Sequence, residues 1–248
     1  MPLPNFAGKH DAEAVFEASD FVDQPDEPIP ETVVLCYQDG FFADVVATAG
    51  ERLDVLSEGR MHRVADGVGA VGAFGVGSAV TAGVLEELAA LGVETVCILG
   101  GAGCLDPSIP PERAVVATDA IRDEGASYHY LPPEAPAEPS PALTAELKRS
   151  IADAGLSVEA GPTWTTDAFF RETVPEVRQY REDGVRTVEM EAATLFAVAA
   201  CRDLDAGAVF SIGDYVTPEE RTVPAASHET LPDLLSPVVE SLATHVSE

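Results

Sequence analysis

Two glutamates precede a stretch that is apolar on every side and long enough to form a helix. Glu189 and Glu191 lead into residues 192–201, where no helix face would be polar, so a buried helix is expected. A carboxylate at the mouth of a buried helix must be hydrogen-bonded, paired or near water. The hydroxyls of a bound sugar would satisfy it. Alternatively, acids in a first helical turn simply favour the positive end of the helix dipole.

The geometry of residues 187–191 bears on this choice. If they are extended, Glu189 and Glu191 share a face, whereas in a helix they lie about 200° apart. A strand-to-helix junction with Glu191 pointing inward suits a binding site at the carboxyl end of a strand.

The rest of the chain predicts strands alternating with helices, which favours a central sheet covered on both faces. The predicted strands are 32–36, 67–74, 93–99, 114–118, 157–161 and 206–212. The predicted helices are 43–55, 78–91 with Ser78 as its cap, 141–154, 192–201 and 232–246. Residues 132–141 read as a proline-rich surface loop. We therefore predict an irregular segment at 1–31, then one α/β domain at 32–248, a three-layer α/β/α structure with a central mixed β-sheet.

The charge of the chain limits its partners. It carries 43 acidic and 14 basic residues, for a formal charge of −29 over 248 residues. Such a surface repels nucleic acid and anionic membranes, so neither is expected as a partner. The hydrophobic content of 46% argues against disorder, and acids spread through a folded chain indicate adaptation to high salt, where screening relieves self-repulsion.

The cysteines and the N-terminal residues give three further expectations. Cys36, Cys97, Cys104 and Cys201 lie in apolar segments without metal-ligand spacing, which predicts buried thiols and no metal site. No apolar run reaches the ~20 residues that span a bilayer. The first eleven residues are polar and resemble no signal peptide, so a cytoplasmic protein is expected.

Six short motifs occur in an order that resembles one enzyme family. They are Gly-Val-Gly-Ser at 75–78, Leu-Gly-Gly-Ala-Gly at 99–103, Arg-Asp-Glu-Gly-Ala-Ser-Tyr-His at 122–129, Thr-Asp-Ala-Phe-Phe at 166–170, Val-Glu-Met-Glu-Ala-Ala at 188–193 and Ile-Gly-Asp at 212–214. Together they resemble the nucleoside phosphorylase family, which includes uridine and purine phosphorylases and related nucleosidases. Each motif alone is weak, but six in register over residues 30–245 are specific.

The resemblance implies a sugar site around the two glutamates. Glu191 corresponds to the glutamate that accepts hydrogen bonds from the ribose 2′- and 3′-hydroxyls, a role that suits a carboxylate. Met190 corresponds to the residue beneath the sugar, and Glu189 to the acid before it. The glycine-rich turn adds three expected substrate-binding residues, Gly101, Ala102 and Gly103.

The resemblance also implies a base site. Phe169 corresponds to the aromatic residue that stacks on the base, with one of Phe169 and Phe170 packing in the core and the other lining the pocket. Asp214 corresponds to the aspartate that protonates N7 of a leaving purine, a contribution of ~10²–10⁴-fold. The Gln-x-Arg pair that reads uracil is absent, because its positions fall near Thr173 and Pro175. A purine-type base is therefore favoured.

The family's phosphate contacts are missing. Its two arginine positions fall at Phe42 and Ile98, and its hydroxyl position at Ala102. Charge-assisted hydrogen bonds are worth ~1.5–3 kcal/mol each, so these losses would weaken phosphate binding strongly unless replaced.

Several residues could replace the missing phosphate contacts. The helix start at Gly75 and Gly77 is an expected anion-binding element. Arg60 or Arg63 corresponds to the arginine that a partner subunit lends, and Arg122 and Arg171 are further candidates. Asp39, just after the first strand, could act as a base if water is the nucleophile.

The resemblance implies cleavage of the N-glycosidic bond of a small-molecule nucleoside. We expect phosphorolysis to free base and pentose 1-phosphate, catalysed through Asp214 and Glu191, with inorganic phosphate as co-substrate and no other cofactor. The alternatives are a nucleosidase, in which water replaces phosphate, and a non-catalytic nucleoside-binding protein. The family resemblance also implies a homo-oligomer built from dimers, as a trimer or hexamer.

Overall fold

The structure, a computed structural model, describes Phe6 and residues 8–245. Over these residues, ten strands form one mixed sheet and six α-helices pack against it. The strands are β1 Thr32–Cys36, β2 Arg52–Leu53, β3 Arg60–Ala65, β4 Val68–Gly72, β5 Thr95–Cys104, β6 Ala114–Asp123, β7 Val158–Thr166, β8 Thr187–Glu189, β9 Asp205–Val216 and β10 Arg221–Thr222. The helices are α1 Asp39–Ala47, α2 Ser78–Ala90, α3 Pro141–Asp153, α4 Val174–Glu182, α5 Ala192–Arg202 and α6 Leu231–Thr244.

The sheet is parallel at its centre and curls back on itself. Strand β5 pairs in parallel with β1 and with β9, and antiparallel with β8. Because β9 also pairs with β6, β6 with β7 and β7 with β8, these five strands close into a small barrel. The predicted α/β fold with a central mixed sheet is confirmed. The sequence did not predict that five of the strands close into a barrel.

The helices cover both faces of the sheet because its central strands carry apolar side chains on both sides. In β1, Val33 and Leu35 pack in a cluster with α2 and α5. Val34 and Cys36 point the other way, into a cluster with α1, α3 and α6. This alternation follows the two-residue period of a strand, and a strand buried on both faces is continuously apolar.

Helix α5 is buried as predicted, from Ala192 to Ala199. Its last residues reach solvent, so the expectation of a buried thiol is wrong for Cys201, which is exposed and donates its S–H to the carbonyl of Tyr130. The other three cysteines are buried and unpaired. The helix ends there because Asp203 adopts a left-handed conformation at its C-cap.

Three local predictions need correction. The predicted helix 43–55 is α1, which ends at Ala47 because the following chain pairs with β3, beginning with the Gly50 amide on the Arg63 carbonyl. Ser78 is not a cap; Gly77 occupies that position, and the Ser78 hydroxyl donates to the Met190 carbonyl. The loop 132–141 is partly buried, since Ala137 bridges to Ala120 in β6.

Candidate active site

The turn between β8 and α5 carries both glutamates into the interior. Strand β8 places Val188 opposite Gly103 of β5 and Glu189 opposite Thr165 of β7. Met190 and Glu191 then turn the chain into α5. The two acids are only 6% and 8% exposed. The inward orientation predicted for Glu191 therefore holds in the structure.

Glu189 is fully hydrogen-bonded by the protein. One carboxylate oxygen accepts from the hydroxyls of Thr165 at 2.6 Å and Thr163 at 3.3 Å. The other accepts from the amides of Glu191 and Ala192, both at 2.7 Å. Burial raises the pKa of Glu189, while these donors oppose the shift by favouring the ionised form. The carboxylate thus ties the turn to β7 and the start of α5.

Glu191 has fewer partners within the protein. It accepts from the Gly77 amide at 2.7 Å and from the Met190 amide at 3.2 Å. A carboxylate has about four acceptor positions, so it retains capacity for a ligand. Burial, and then the charge of Glu189, raise the pKa of Glu191 to about 8. The contact from Gly77 shows that this amide, predicted as an anion donor, is already engaged.

A cavity of about 580 Å³ opens beside this turn. A volume of this size suits a small organic ligand. Its walls come from β5, β8, β9 and the turns at their ends. Seven of the predicted site residues line it: Gly101, Ala102, Gly103, Phe169, Glu189, Met190 and Asp214. Glu191 is not among the lining residues; it follows Met190, which is.

One end of the cavity carries carboxylates and aromatic rings. Asp214, at the end of β9, forms an ion pair with Arg221 of β10. Glu172 lies near them, and burial together with the charge of Asp214 raises its pKa to about 7, against the opposing effect of Arg221. The rings of Phe169 and Phe170 are 4.0 Å apart between centroids.

Neither phenylalanine packs in the core. Phe169 is 52% exposed and Phe170 is 88% exposed, and both line the cavity. The expectation that one of them packs inside is wrong, because both lie in a short turn after β7 that faces the cavity mouth. The two rings are tilted by 38° to each other, and the exposed face of either can pack against a planar ligand.

The cavity is also lined by two residues that the sequence did not single out. Gln38 precedes α1, and His228 lies in the turn before α6; both line the cavity. The Nδ1 atom of His228 lies 3.3 Å from the Ser211 hydroxyl of β9. Gln38 follows the first strand, at the place of the family's phosphate-binding loop, so its position was a signal that could have identified it. No motif near His228 predicts that it belongs to the site.

Comparison with known proteins decides the family. Residues 52–240 match the family model described as Phosphorylase superfamily. The chain belongs to this superfamily. The resemblance to nucleoside phosphorylases is thereby confirmed, and with it the class of nucleoside phosphorylase-like enzymes.

Individual members of the superfamily share part of their length with the chain. It is 34% identical over 167 residues to the guanosine phosphorylase of Halorubrum lacusprofundi, covering 67% of this chain and 68% of that protein. It is 31% identical over 152 residues to the uridine phosphorylase of Salmonella typhimurium, covering 56% of this chain and 60% of that protein, less than two thirds of its length.

A solved structure of the superfamily has the same fold. The uridine phosphorylase of Vibrio fischeri ES114 superposes with a TM-score of 0.75 at 21% identity. The superposition covers 88% of this chain and 93% of that chain. The likeness therefore extends over nearly the whole length of both folds.

The remaining predicted residues of the phosphate region lie apart from the main cavity. Asp39, Arg60 and Gly75 line a second cavity of about 420 Å³ between α1 and the turn before α2. Arg63 donates to the Pro28 carbonyl at 2.9 Å instead. The side chain of Arg122 is hydrogen-bonded to the loop that follows it. It donates to the carbonyls of Leu131, Pro132 and Ala135.

The arginine positions of the family are filled by core residues. Phe42 is 3% exposed and Ile98 is 1% exposed. Phe42 packs over Gly72, whose Cβ position would lie 2.4 Å from the ring. Neither Phe42 nor Ile98 lines the main cavity, and neither carries a polar group that could bind phosphate.

A metal site and a membrane-spanning helix are both absent from the described residues. Within residue 6 and residues 8–245, no group of three or more His, Cys, Asp or Glu side chains could hold a metal ion. Among the helices of the same residues, none is long and apolar enough to cross a membrane.

Proposed function

We propose that this protein cleaves the N-glycosidic bond of a purine nucleoside by phosphorolysis, giving the free base and a pentose 1-phosphate. The observation that carries the proposal is a single cavity bordered at one place by Glu189 and Met190, the residues that precede Glu191, and at another by Asp214 with the Phe169–Phe170 pair. A nucleoside needs these two kinds of contact at once, because its sugar offers a diol and its base a flat ring.

The reaction follows from these positions. A phosphate oxygen attacks C1′ as the bond from C1′ to N9 breaks, and the bonding electrons move onto the purine. Asp214 donates a proton to N7, so the base leaves neutral. The protons balance, since hydrogen phosphate loses one overall and the base gains one. Glu172 beside Asp214 has a pKa of about 7, so a proton is available in this carboxyl pair near neutrality.

A purine is favoured over uracil by the groups at the base end. Asp214 and Glu172 are both acceptors when ionised and donors when protonated, which suits the N7 atom and the N1–H of guanine or hypoxanthine. The similarity to a guanosine phosphorylase supports the same choice. The absence of the family's uracil-reading pair at Thr173 and Pro175 is consistent with it.

Hydrolysis is the second candidate, and one observation favours it. The two arginine positions that bind phosphate in the family are the buried Phe42 and Ile98. The placement of Asp39 argues the other way, because this candidate base lines the second cavity and not the one beside Glu189 and Met190.

Several properties complete the proposal. We expect inorganic phosphate as co-substrate, no metal or organic cofactor, and neither nucleic acid nor membrane as partner. We also expect a dimer-based trimer or hexamer, a role in cytoplasmic purine salvage, and tolerance of high salt. Light scattering at several salt concentrations would test the assembly directly.

The test of function is an assay in high salt, with and without phosphate, of guanosine, inosine, adenosine, uridine and methylthioadenosine. Phosphate-dependent release of a purine, with pentose 1-phosphate as product, is the expected result. Equal release without phosphate would establish hydrolysis instead. Saturable binding of a nucleoside without turnover would identify a binding protein.

A further inference from the structure

The main cavity contains little positive charge for an anionic co-substrate. Of the residues that line it in the described part of the chain, only Arg221 and His228 can carry a positive charge. Arg221 is committed to Asp214 at the base end. In a protein of formal charge −29, an anion needs local compensation to enter. His228 is the residue left to provide it.

The ring of His228 rests directly on two neighbouring strands. A Cβ at Gly101 of β5 would lie 2.1 Å from the Cε1 atom of the ring. A Cβ at Gly213 of β9 would lie 2.4 Å from the same atom. The imidazole therefore fits here only because both positions are glycine. The backbone of His228 is left-handed, with φ of 59°, and its amide donates to the Ile212 carbonyl at 3.2 Å.

The side chain of Gln38 reaches the same place from the turn before α1. Its Nε2 atom lies 2.9 Å from the Cβ position of Gly101, and the Nδ1 atom of His228 lies 2.5 Å from that position. The Oε1 atom of Gln38 is buried and has no hydrogen-bond partner. A buried acceptor without a partner is costly, so this oxygen suits a water or ligand group that donates to it, while the Nε2 hydrogens are the part of the amide that can donate to a phosphate oxygen.

The strand register relates this place to the proposed acid. A Cβ at Gly103 would lie 3.0 Å from a carboxylate oxygen of Asp214, just as one at Gly101 would meet His228. Residues two apart in a strand face the same way, about 6.6 Å apart. The imidazole beside Gly101 and the acid beside Gly103 thus lie along one strand of the same cavity, where the pairing of β5 with β9 shifts register between Ala102 and Gly103.

We propose that His228, assisted by Gln38, binds the phosphate co-substrate in place of the arginines that the family positions lack. This inference rests on the proposed phosphorolysis. The Nδ1 atom is already hydrogen-bonded to the Ser211 hydroxyl, so Nε2 is the ring atom that would donate to a phosphate oxygen, and the Gln38 amide nitrogen would donate a second hydrogen bond. The bound phosphate then attacks C1′ while Asp214 protonates N7, so bonds and protons balance as above.

The experiment compares His228→Asn with His62→Gln, a histidine substitution on β3 that lies outside the main cavity. Phosphate and guanosine are varied separately in high salt, and phosphate binding without nucleoside is measured by calorimetry. His228→Asn is expected to raise the KM and the Kd for phosphate about 10- to 100-fold, the value of one charge-assisted hydrogen bond. The KM for guanosine and the kcat at saturating phosphate are expected to stay within about threefold.

A second pair of variants tests the same site if His228→Asn folds poorly. Gly101→Ala would push the imidazole away, whereas a Cβ at Gly100 would meet the side chains of Gln38 and Ile98 at ordinary distances of 3.5 Å or more. Gly101→Ala is expected to weaken phosphate binding and Gly100→Ala to weaken it much less. Thermal unfolding of every variant in the same salt establishes that it is folded.

The possible failures can be told apart. If the unsubstituted protein requires phosphate but His228→Asn and Gly101→Ala bind phosphate normally, the role of His228 is refuted and phosphorolysis stands. If the unsubstituted protein releases base without phosphate and binds none, the proposed function fails, and the phosphate site fails with it. A loss of kcat alone, at unchanged phosphate affinity, would also overturn the inference.

Discussion

Glu189 and Glu191 lie two residues apart and use their carboxylates in different ways. Glu189 accepts four hydrogen bonds, all from the protein. Glu191 accepts two, from the amides of Gly77 and Met190. Because both are buried, the acid that the protein saturates stabilises the turn, while the acid with remaining acceptor capacity is available to a ligand.

Replacement of Glu191 by Gln is expected to weaken nucleoside binding. A carboxamide has one acceptor oxygen, so it loses at least one strong hydrogen bond to the ribose diol, and affinity should fall about 10- to 100-fold. A 2′-deoxynucleoside should lose less, since it offers one hydroxyl fewer. Calorimetric titration with guanosine and 2′-deoxyguanosine measures both effects.

The matched control is Glu176→Gln. Glu176 accepts from the Thr173 amide at 3.0 Å on the surface of α4 and does not line the cavity. Its substitution should leave nucleoside affinity unchanged. If Glu191→Gln lowered the affinity for guanosine and for 2′-deoxyguanosine equally, the proposed hydrogen bonds between Glu191 and the ribose diol would be contradicted.

Replacement of Glu189 by Gln is expected to lower stability. If the carboxamide oxygen keeps the two backbone amides, its nitrogen faces Thr163 and Thr165. The Thr165 hydroxyl, which already accepts from the Ala193 amide, then loses the acceptor of its own proton. The cost should be about 1–3 kcal/mol in the free energy of unfolding, the penalty for buried groups left unsatisfied. Urea unfolding in high salt measures it. A variant as stable as the parent would show that this hydrogen-bonded turn contributes little.

The raised pKa of Glu191 predicts a dependence of stability on pH. The folded value of about 8 lies above the ordinary value of 4.5, so the folded state keeps a proton that the unfolded state has released. This contribution to stability is complete below about pH 4.5 and is lost as the pH rises to about 8, at up to about 1.4 kcal/mol per pH unit.

Glu191→Gln removes that titration. From about pH 5 to pH 8.5, the free energy of unfolding of the variant should therefore decline less than that of the unsubstituted protein. The two curves are compared by urea unfolding at one fixed, high salt concentration. Parallel curves would mean that Glu191 titrates in the folded protein as it does in the unfolded chain.

Replacement of Asp214 by Asn is expected to slow purine release. Loss of a general acid should lower kcat for guanosine about 10²- to 10⁴-fold. With 7-methylguanosine, N7 already carries the positive charge and needs no proton, so the loss should be much smaller. Steady-state assays with both substrates measure the difference. A loss of the same size for both would assign Asp214 a structural part, through its ion pair with Arg221.

The strongest sequence signals were those in which many neighbouring residues agree. Eight successive buried residues in α5 require a helix with no exposed face, so a carboxylate at its mouth needed hydrogen bonds, a partner or water. Likewise, β1 is apolar from Val33 to Cys36 because both of its faces are covered. Signals of this kind depend on local composition, which the sequence displays directly.

Glycine-rich strands were harder to delimit. The end of β5 contains Gly100, Gly101 and Gly103, and it is a strand because β9 pairs with it as far as Tyr215. Glycine is a poor strand former by itself, so the predicted strand ended at residue 99, and the family resemblance implied a turn at 99–103. Its pairing partner lies more than 100 residues away in the chain.

The sequence by itself determined that a buried helix begins with two inward acids and that strands alternate with helices around one core. Only the tertiary structure placed Gln38 and His228 together on the glycines of β5 and β9, where one imidazole fits because two side chains are missing. No local pattern can express that contact, since its four residues come from distant segments and meet only when the parallel strands align.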